Sequence, residues 1–505
     1  MKLYQISEPQ STVGELVIGI DLGTTNSLIG FYDGEKVQIV PDKYNQKGVV
    51  PSIMTFDSNS RQFKVGHEAM NDLEAVKSVK RLIGKGLKDT ILDLYNIDYK
   101  ESSDEVIKLN LREKSLSPVE ISAEILKYLK KNAEEYTGKK VRKAVITVPA
   151  HFDDAARIAT KDAAKIAGIE ILRILNEPTA AAIAYGLNNN HNNKPILVYD
   201  LGGGTFDVSI LKRNHGIMVV MATGGDNQLG GDDFDHAILN MLRKKVGQES
   251  IKTTSDQLKI ANYVKTYLSN HTAWTGEFLS ENISITRTEI IKACQQLIDR
   301  TLQTTRDVLF SAKLKPQEIG QVILAGGATR MPIIQSSIEK IFSKKPLINI
   351  DPDQVVAIGA TLQAQALTHR GDVLVDVVPL SLGIELLGGI VETIIARNTP
   401  IPAIAKKYYT TYKDNQRGFK IHIVQGEGDT VESCRSLARI ELSDLPEKPA
   451  GEVKLEVVFK VNADGILFVS ATELDSGKSC NLEVKPTYGL TENDLEKLLQ
   501  KQQDA

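Results

Sequence analysis

Two stretches of this chain end an apolar run on an aspartate and follow it with a glycine-rich turn. They are Val17-Ile-Gly-Ile-Asp21-Leu-Gly-Thr-Thr-Asn26 and Ile196-Leu-Val-Tyr-Asp200-Leu-Gly-Gly-Gly-Thr-Phe-Asp207. Each run has the composition of a buried strand, and each turn leads into a second apolar strand, over 27–32 and 208–211. Glycine has no Cβ, so its backbone can take positive φ and approach a ligand closely. Successive N–H groups in such a turn form a nest for an anion. A carboxylate at a strand end can hold a divalent cation, usually through water. The chemistry this allows is the binding of a metal-bound polyphosphate between Asp21 and Asp200. Either stretch alone reads equally well as a glycine hairpin with no ligand, because Gly marks tight turns everywhere. Repetition favours binding: two such hairpins imply two related halves facing each other across a cleft.

The elements around these turns alternate. A strand at 144–148 is broken by Pro149, a helix covers 153–167, and a strand over 169–175 runs into Asn176-Glu177-Pro178 and an alanine-rich helix. This order argues an α/β architecture. Glu177 sits where strand gives way to helix, facing a cleft or simply favouring the helix dipole. Ser117-Pro-Val-Glu120 is a helix start with a capping box and Pro at the first position. Ile121, Ile125, Leu129, Ala133 and Tyr136 then recur at core-packing spacing. A basic helix is expected over 71–88, where Lys80 would ordinarily be a solvated charge. After the Asp200 hairpin, 223–231 supplies two more glycine pairs before a helix opening at Asp232. Residues 232–320 read as largely helical, with one strand-like patch at 282–286. Residues 322–332 repeat strand, glycine turn and helix, and Asp351-Pro-Asp353 opens a further helix.

Composition changes at 368–371. Asp372-Val-Leu-Val-Asp376 is either an edge strand or an interdomain linker whose side chains can be solvated or docked. From 377 to 486 the pattern turns to strands, alternating at 419–425, 454–462 and 466–471. No Ser/His/Asp or paired-acid set stands out there, so this part looks like an antiparallel sandwich that binds rather than catalyses. A helix begins at 490 and has barely started at Ala505; residues 1–15 look like a loose leader.

The chain is long enough for several domains with sizeable cores. With 42% hydrophobic and 25% charged residues it is not a disordered protein. A net charge of −3 gives no reason to expect nucleic acid or anionic membrane as a partner. Cys294, Cys434 and Cys480 are odd in number and far apart, without metal spacing, which suits reduced structural thiols. With neither an apolar signal region at the start nor an uncharged 18-residue apolar run later, a cytoplasmic protein is expected.

From about residue 16 to its end the chain resembles the DnaK-type heat-shock protein 70 chaperones. The carriers are GIDLGTTNS, SVKRLIG, VITVPAHFDDAAR, NEPTAAAIAYG, YDLGGGTFDVSI, LGGDDFD, GGATRMP and DVLVDVVPLSLGIE, in order, with the β-rich part. Within the family it is most similar to the HscA branch, which serves iron–sulfur cluster assembly. That similarity rests on QISEP, Asn26, KDNQ, SCRSLAR and VKPTYGLT. The resemblance implies a leader (1–15), a duplicated actin-like, ribonuclease H-like ATPase domain (16–370) and a linker (371–377). A β-sandwich for peptides (378–487) and the start of a truncated helical lid (488–505) follow.

By motif, the resemblance places Gly23, Thr24, Thr25 and Asn26, with Gly202, Gly203, Gly204 and Thr205, on the β- and γ-phosphates. It places Asp21 and Asp200 around Mg²⁺ and its waters, Lys80 as the catalytic lysine, and Glu177 and Asp207 as groups ordering ion and water. Gly230, Gly231, Lys265, Ser269, Gly326, Gly327, Ala328, Arg330, Met331 and Asp353 would contact the rest of the nucleotide. Implied cofactors are ATP or ADP and Mg²⁺, with K⁺ as a candidate further ion. Phosphoryl transfer of this kind needs positioning and charge neutralisation, not a covalent nucleophile. Leu387 and Tyr412 fall at the family's two arch positions over the peptide, with Ile384, Tyr409, Phe419 and Ile421 lining the pocket. Pro149, Arg157 and Asp376 match its interdomain relay. Implied partners are a J-domain cochaperone of the HscB kind and an iron–sulfur scaffold of the IscU kind with a Leu-Pro-Pro-Val type motif. The chaperone itself is expected to be a monomer.

Three departures carry expectations. Asn262, Lys265 and Thr266 stand where the family usually has Glu and Arg flanking a Lys, so one ion pair that could clamp the base is missing and nucleotide retention should be weak. The linker reads Val-Leu-Val where four apolar residues are common. Phe419 puts a large ring at a pocket floor often lined by Val, giving a shallow pocket for a narrow extended segment. A general DnaK-like folding chaperone is the alternative function. A small-molecule kinase or a filament ATPase would share the core, but has no reason for the linker and sandwich.

Overall fold

The computed structural model describes residues 16–86, 99–100, 107–185, 194–214, 217–368, 374–483 and 495–496. The expected leader, the first residues of the expected linker and almost all of the expected lid segment lie outside them.

Two sheets share one plan. In the first, the buried strand Leu16–Leu22 runs parallel to Val141–Val148, which is followed by Glu170–Asn176, and antiparallel to Asn26–Tyr32, which carries Val37–Ile39. In the second, Ile196–Leu201 runs parallel to Gln321–Ala325 and antiparallel to Phe206–Asn214, which carries Ile217–Asp226. Asp21 lies opposite Leu28 in its hairpin, whereas Asp200 lies opposite Asp207. The apolar run before Asp200 is buried along its whole length, as a strand covered on both faces must be.

The lobes built on these sheets meet at two helices, Glu177–Ala184 and Val355–Thr368. A Cβ on Gly359 would lie 1.8 Å from the Ala180 carbonyl oxygen, and one on Gly19 would lie 2.1 Å from the Thr361 nitrogen. Only glycine lets these backbones approach so closely.

Helix Pro118–Thr137 starts as its capping box predicts. The Ser117 side chain accepts from the Glu120 N–H, and the Glu120 carboxylate accepts from the Ser117 N–H at 2.8 Å. Ile121, Ile125, Leu129 and Ala133 enter the first lobe's core, but Tyr136 is 56% exposed with its ring near Phe31. Its position is the last on the apolar stripe, where the helix runs out past the core. The helix expected over 71–88 is absent among the described residues of that range. A single 3₁₀ turn, Val79–Arg81, stands there instead. Ser78 is left-handed at φ 54°, and Gly84 at φ 71° packs against the backbone of Ala155 and Ala156. The chain bends at both ends of the turn, so no longer helix can form. Residues 282–286 do form a strand, within Glu281–Thr286. Its partner Ala273–Phe278 was hidden by a sequence with little alternation, although Trp274 anchors it in the core.

Beyond the lobes, two four-stranded antiparallel sheets face each other. One is ordered Val391–Ile395, Leu382–Glu385, Gly418–Gln425, Arg435–Ser443; the other Ala403–Thr410, Lys454–Val461, Leu467–Glu473, Ser479–Glu483. Leu382, Ile423, Val457 and Phe459 are among the side chains that close the core. The connecting segment forms the edge strand its sequence allowed. Leu374–Val375 adds a parallel edge strand to the second lobe, opposite Met218 and Val219, and it leads directly into the sandwich.

The sandwich is docked on both lobes. Against the first, the Asp464 carboxylate accepts from the Ile174 N–H at 3.1 Å and Lys161 Nζ at 3.3 Å. Asp154 Oδ1 accepts from the Leu467 N–H at 2.9 Å, and Arg435 pairs with Asp153 while donating to the Gly84 carbonyl at 2.6 Å. Against the second, Arg397 donates to the Thr223 carbonyl at 2.7 Å and Asn398 Oδ1 accepts from its N–H at 3.2 Å. No helix among the described residues is long and apolar enough to cross a membrane.

Candidate functional site

A cavity of about 340 Å³ lies where the two hairpins face each other. The first lobe contributes Asp21 and the turn Gly23–Asn26; the second contributes Asp200, Gly202, Gly203 and Thr205. Lys80 and Glu177 sit between them. The far end is formed by Gly231, Lys265, Gly326, Gly327, Ala328, Arg330 and Asp353. Residues more than 300 positions apart therefore line one space.

The turns interlock. A Cβ on Gly203 would fall 1.7 Å from Thr25 Oγ1, and one on Gly204 would fall 2.4 Å from Thr24 Cγ2. Gly204 and Gly230 thus serve the packing of the turns and do not line the cavity; a Cβ on Gly230 would strike the backbone of Gly203 and Gly204. Two other expected contacts also lie off it. Met331 is buried in the second lobe's core, and the Ser269 hydroxyl donates to the Lys265 carbonyl of its own helix at 3.0 Å. Asp207 stands one step behind the wall, accepting from the His151 N–H at 3.0 Å. Asp232, Leu28, Pro352 and Val356 line the space without having been singled out in the sequence. For Asp232 the signal was present in the doubled acid after Gly230-Gly231; the other three are apolar or generic.

The centre is rich in buried negative charge. Lys80 and Glu177 form a buried ion pair. Burial, then repulsion from Glu177, raises the Asp21 carboxyl to about 7 against the pull of Lys80 and the Thr147 hydroxyl. Burial and Glu177 likewise raise Asp207 to about 8 against the His151 N–H. Asp200 is raised well above the carboxylate range by burial, then by Glu177, Asp207 and Asp21. Four carboxyls around one ammonium are short of positive charge, which is the condition that favours a cation. Among the described residues no three His, Cys, Asp or Glu converge to grip an ion directly. The donor set therefore fits a hard cation held largely through phosphate oxygens and water. The turns, where a Cβ on Gly23 or Gly203 has no room, fit the phosphates.

At the far end the cations are tied within their own lobe. Lys265 pairs with Asp235 at 2.7 Å and donates to the Gly231 carbonyl at 3.0 Å, while Asn262 donates to Asp235 at 2.8 Å. Arg330 pairs with Asp353 at 2.7 Å and with Asp351.

The relay candidates meet at the docking seam. Arg157 donates to the Phe152 carbonyl at 3.1 Å, Asn176 Oδ1 at 2.8 Å and the Asp464 carbonyl at 3.3 Å. Asn176 in turn donates to Asp376 at 2.7 Å. The Pro149 carbonyl accepts from the Phe152 N–H at 3.1 Å, closing the turn that presents Phe152 to Arg157. Asn176 opens the motif NEPTAAAIAYG but was not singled out for this seam, and Asp464 sits in a turn with no motif of its own.

In the sandwich, Leu387 is 88% and Tyr412 64% exposed on loops. Ile384 and Ile421 are buried, Tyr409 and Phe419 pack partly against the core, and the Tyr409 hydroxyl donates to Glu392 at 2.7 Å.

Residues 17–505 match the family model described as Hsp70 protein. The chain is 43% identical over 522 residues to a protein named chaperone protein HscA homolog from Polynucleobacter asymbioticus, covering 99% of this chain and 83% of the relative. A protein of the same name from Methylobacillus flagellatus is 44% identical over 521 residues, with the same coverage. Another, from Histophilus somni, is 43% identical over 516 residues, again covering 99% and 83%. Matches of that length run through both hairpins, the Lys80 turn, the linker and the sandwich alike, and they settle that this chain belongs to the Hsp70 family.

Proposed function

We propose that this chain is an ATP-driven chaperone whose two-lobed, duplicated actin-like domain (16–370) hydrolyses ATP to govern peptide binding by the sandwich (378–487), in the service of iron–sulfur cluster assembly. The observation that carries it is the meeting of the two hairpin turns, with Lys80 and Glu177 between them, in a molecule whose linker strand is part of the same second-lobe sheet.

Gly23–Asn26 and Gly202–Thr205 would hold the β- and γ-phosphates through backbone N–H groups and threonine hydroxyls. Asp21 and Asp200 would hold Mg²⁺ through water, and K⁺ would find the same surplus of carboxylates. Bound Mg²⁺ supplies charge neutralisation on the phosphates and orders water around them. Lys80, held by Glu177, places a fixed positive charge at the phosphate end, and Asp207 keeps the negative field behind Asp200. Arg330 and Lys265, anchored by their own acids, offer a preset frame for base and ribose. Their ties stay within the second lobe, which supports weak nucleotide retention.

The chain from Arg157 through Asn176 to Asp376 supports a route by which the cleft and the linker sense each other. Leu387 and Tyr412 would arch over a peptide lying above Ile384, Tyr409, Phe419 and Ile421. The HscA name of the relatives and the branch motifs favour a J-domain cochaperone and an iron–sulfur scaffold as partners, met by a monomer in the cytoplasm. ATP turnover measured with and without a J-domain protein and a scaffold bearing a Leu-Pro-Pro-Val motif tests the reading. Stimulation by the two together is expected. Equal stimulation by unrelated unfolded peptides would favour a general folding chaperone, and turnover that depends on a small-molecule acceptor would sink the proposal.

A further inference from the structure

The turn that carries Lys80 belongs to the first lobe, yet it is fastened to the second. Its leading residue, Ser78, is left-handed at φ 54° and ψ 27°, and its hydroxyl makes no bond back to its own turn. A residue with a Cβ adopts that conformation at a cost and keeps it where its surroundings over-determine it. The hydroxyl crosses the cleft and donates to Asp232 Oδ2 at 2.6 Å. At the other end of the turn Arg81 pairs with Asp233. Asp232 and Asp233 are the first-turn acids of the helix Gly231–Lys245, whose first residue lines the cavity. Next to Ser78, Lys77 Nζ donates to Ser255 Oγ at 3.1 Å, at the start of the helix that carries Lys265.

We infer that Ser78 is a positioning residue for Lys80: its hydroxyl registers the lysine's turn on the second lobe, so that the ammonium reaches its working place when the lobes are closed. The geometry makes lobe closure and lysine placement one event. Arg81 and Lys77 hold the turn near the second lobe, and the Ser78 bond fixes its register there, so that without it the Lys80–Glu177 pair would be placed less exactly against the second lobe's turn. The inference rests on the reading of the cleft as an ATP site.

Single-turnover ATP hydrolysis and the release of labelled ADP, measured separately on the full chain, test it with Ser78→Ala, Ser78→Gly and Ser78→Asn. Loss of the hydroxyl in the Ala and Gly variants should each slow the single-turnover step roughly 3- to 10-fold, the worth of one hydrogen bond expressed in a transition state. ATP affinity should change less. Asn tolerates the left-handed conformation and carries an N–H for Asp232, so Ser78→Asn should recover most of the rate. A Gly variant as fast as the unaltered chain would mean that the strained backbone matters and the hydroxyl does not, overturning the inference. Faster ADP release with unchanged hydrolysis would overturn it too, since the contact would then only hold the cleft shut. Absence of ATP hydrolysis in the unaltered chain would overturn the ATP-site reading itself, a result distinct from either.

Discussion

The two hairpin turns have the same plan and opposite contents. The first lobe's turn presents threonine hydroxyls from Thr24 and Thr25, and its aspartate faces Leu28 across the hairpin. The second lobe's turn presents three glycines, and its aspartate faces Asp207. The bare glycines of one leave the space that the threonines of the other fill. Charge is divided unevenly: the first lobe brings the ammonium of Lys80 together with Asp21, and the second brings Asp200 backed by Asp207 and the far wall. A duplicated motif has become a complementary pair, so neither copy can be judged by its own sequence.

The sharpest way to break that complementarity is to remove the unlike charge. Lys80→Ala leaves Glu177 buried among aspartates and should slow single-turnover hydrolysis on the order of 10²–10³-fold, as loss of a key electrostatic group does. Arg330→Ala, at the far wall, should weaken nucleotide binding with a much smaller effect on that step. Next in size is the steric test. Gly203→Ala places a methyl where Thr25 stands and should weaken nucleotide binding roughly tenfold or more, through displacement of the turn. Gly202→Ala, whose Cβ would meet nothing closer than 3.6 Å, should disturb the turn far less. If the turns interlock, adding Thr25→Gly to Gly203→Ala should restore part of the loss; two independent turns would give additive damage.

The charge comparison has a pH signature. In the folded chain Asp21 titrates near 7 and Asp207 near 8, both above their unfolded values. Such acids bind more protons folded than unfolded, so the stability they contribute is greatest below the ordinary carboxylate range and is lost as pH rises through about 7 to 8. Melting of the nucleotide-free, magnesium-free protein should therefore move to lower temperature as pH climbs from 6 to 8. Asp207→Asn should flatten that slope, and so should saturating Mg²⁺ with ADP. A slope unchanged by the Asn substitution would show that the aspartates are not where the field is concentrated. The smallest effect is expected at the far wall. Asn262→Glu would restore the family's usual acid on an exposed position, at the cost of the hydrogen bond to Asp235, and an exposed ion pair contributes about 1 kcal/mol or less. ADP release should slow by no more than about fivefold.

What the chain reveals of this before folding depends on how local the cause is. The capping box at Ser117 and Glu120 could be read directly, because four consecutive residues decide it. Both hairpins were legible for the same reason. Ser78 defeated the helical reading of 71–88, since its conformation is fixed by Asp232, more than 150 positions later. Trp274's strand was masked because its packing partners, not its alternation, hold it in place. Asp464 and Arg435 sit in ordinary turn and strand sequence, and their value comes entirely from the lobe they land on. The expected contacts at Gly204, Gly230, Ser269 and Met331 illustrate the converse. Motif membership carried them into the site by name, but the structure employs them one layer out, as spacers and core.

The contact of Gly359 with Ala180 and of Gly19 with Thr361 has a mechanical consequence. With no side chains between the backbones, there is no padding to compress and little freedom to slide. Such a joint behaves as a fulcrum: it allows rotation and resists shear. A slight turn there is amplified along the arms, so the rim of the cleft travels furthest while the pivot hardly moves.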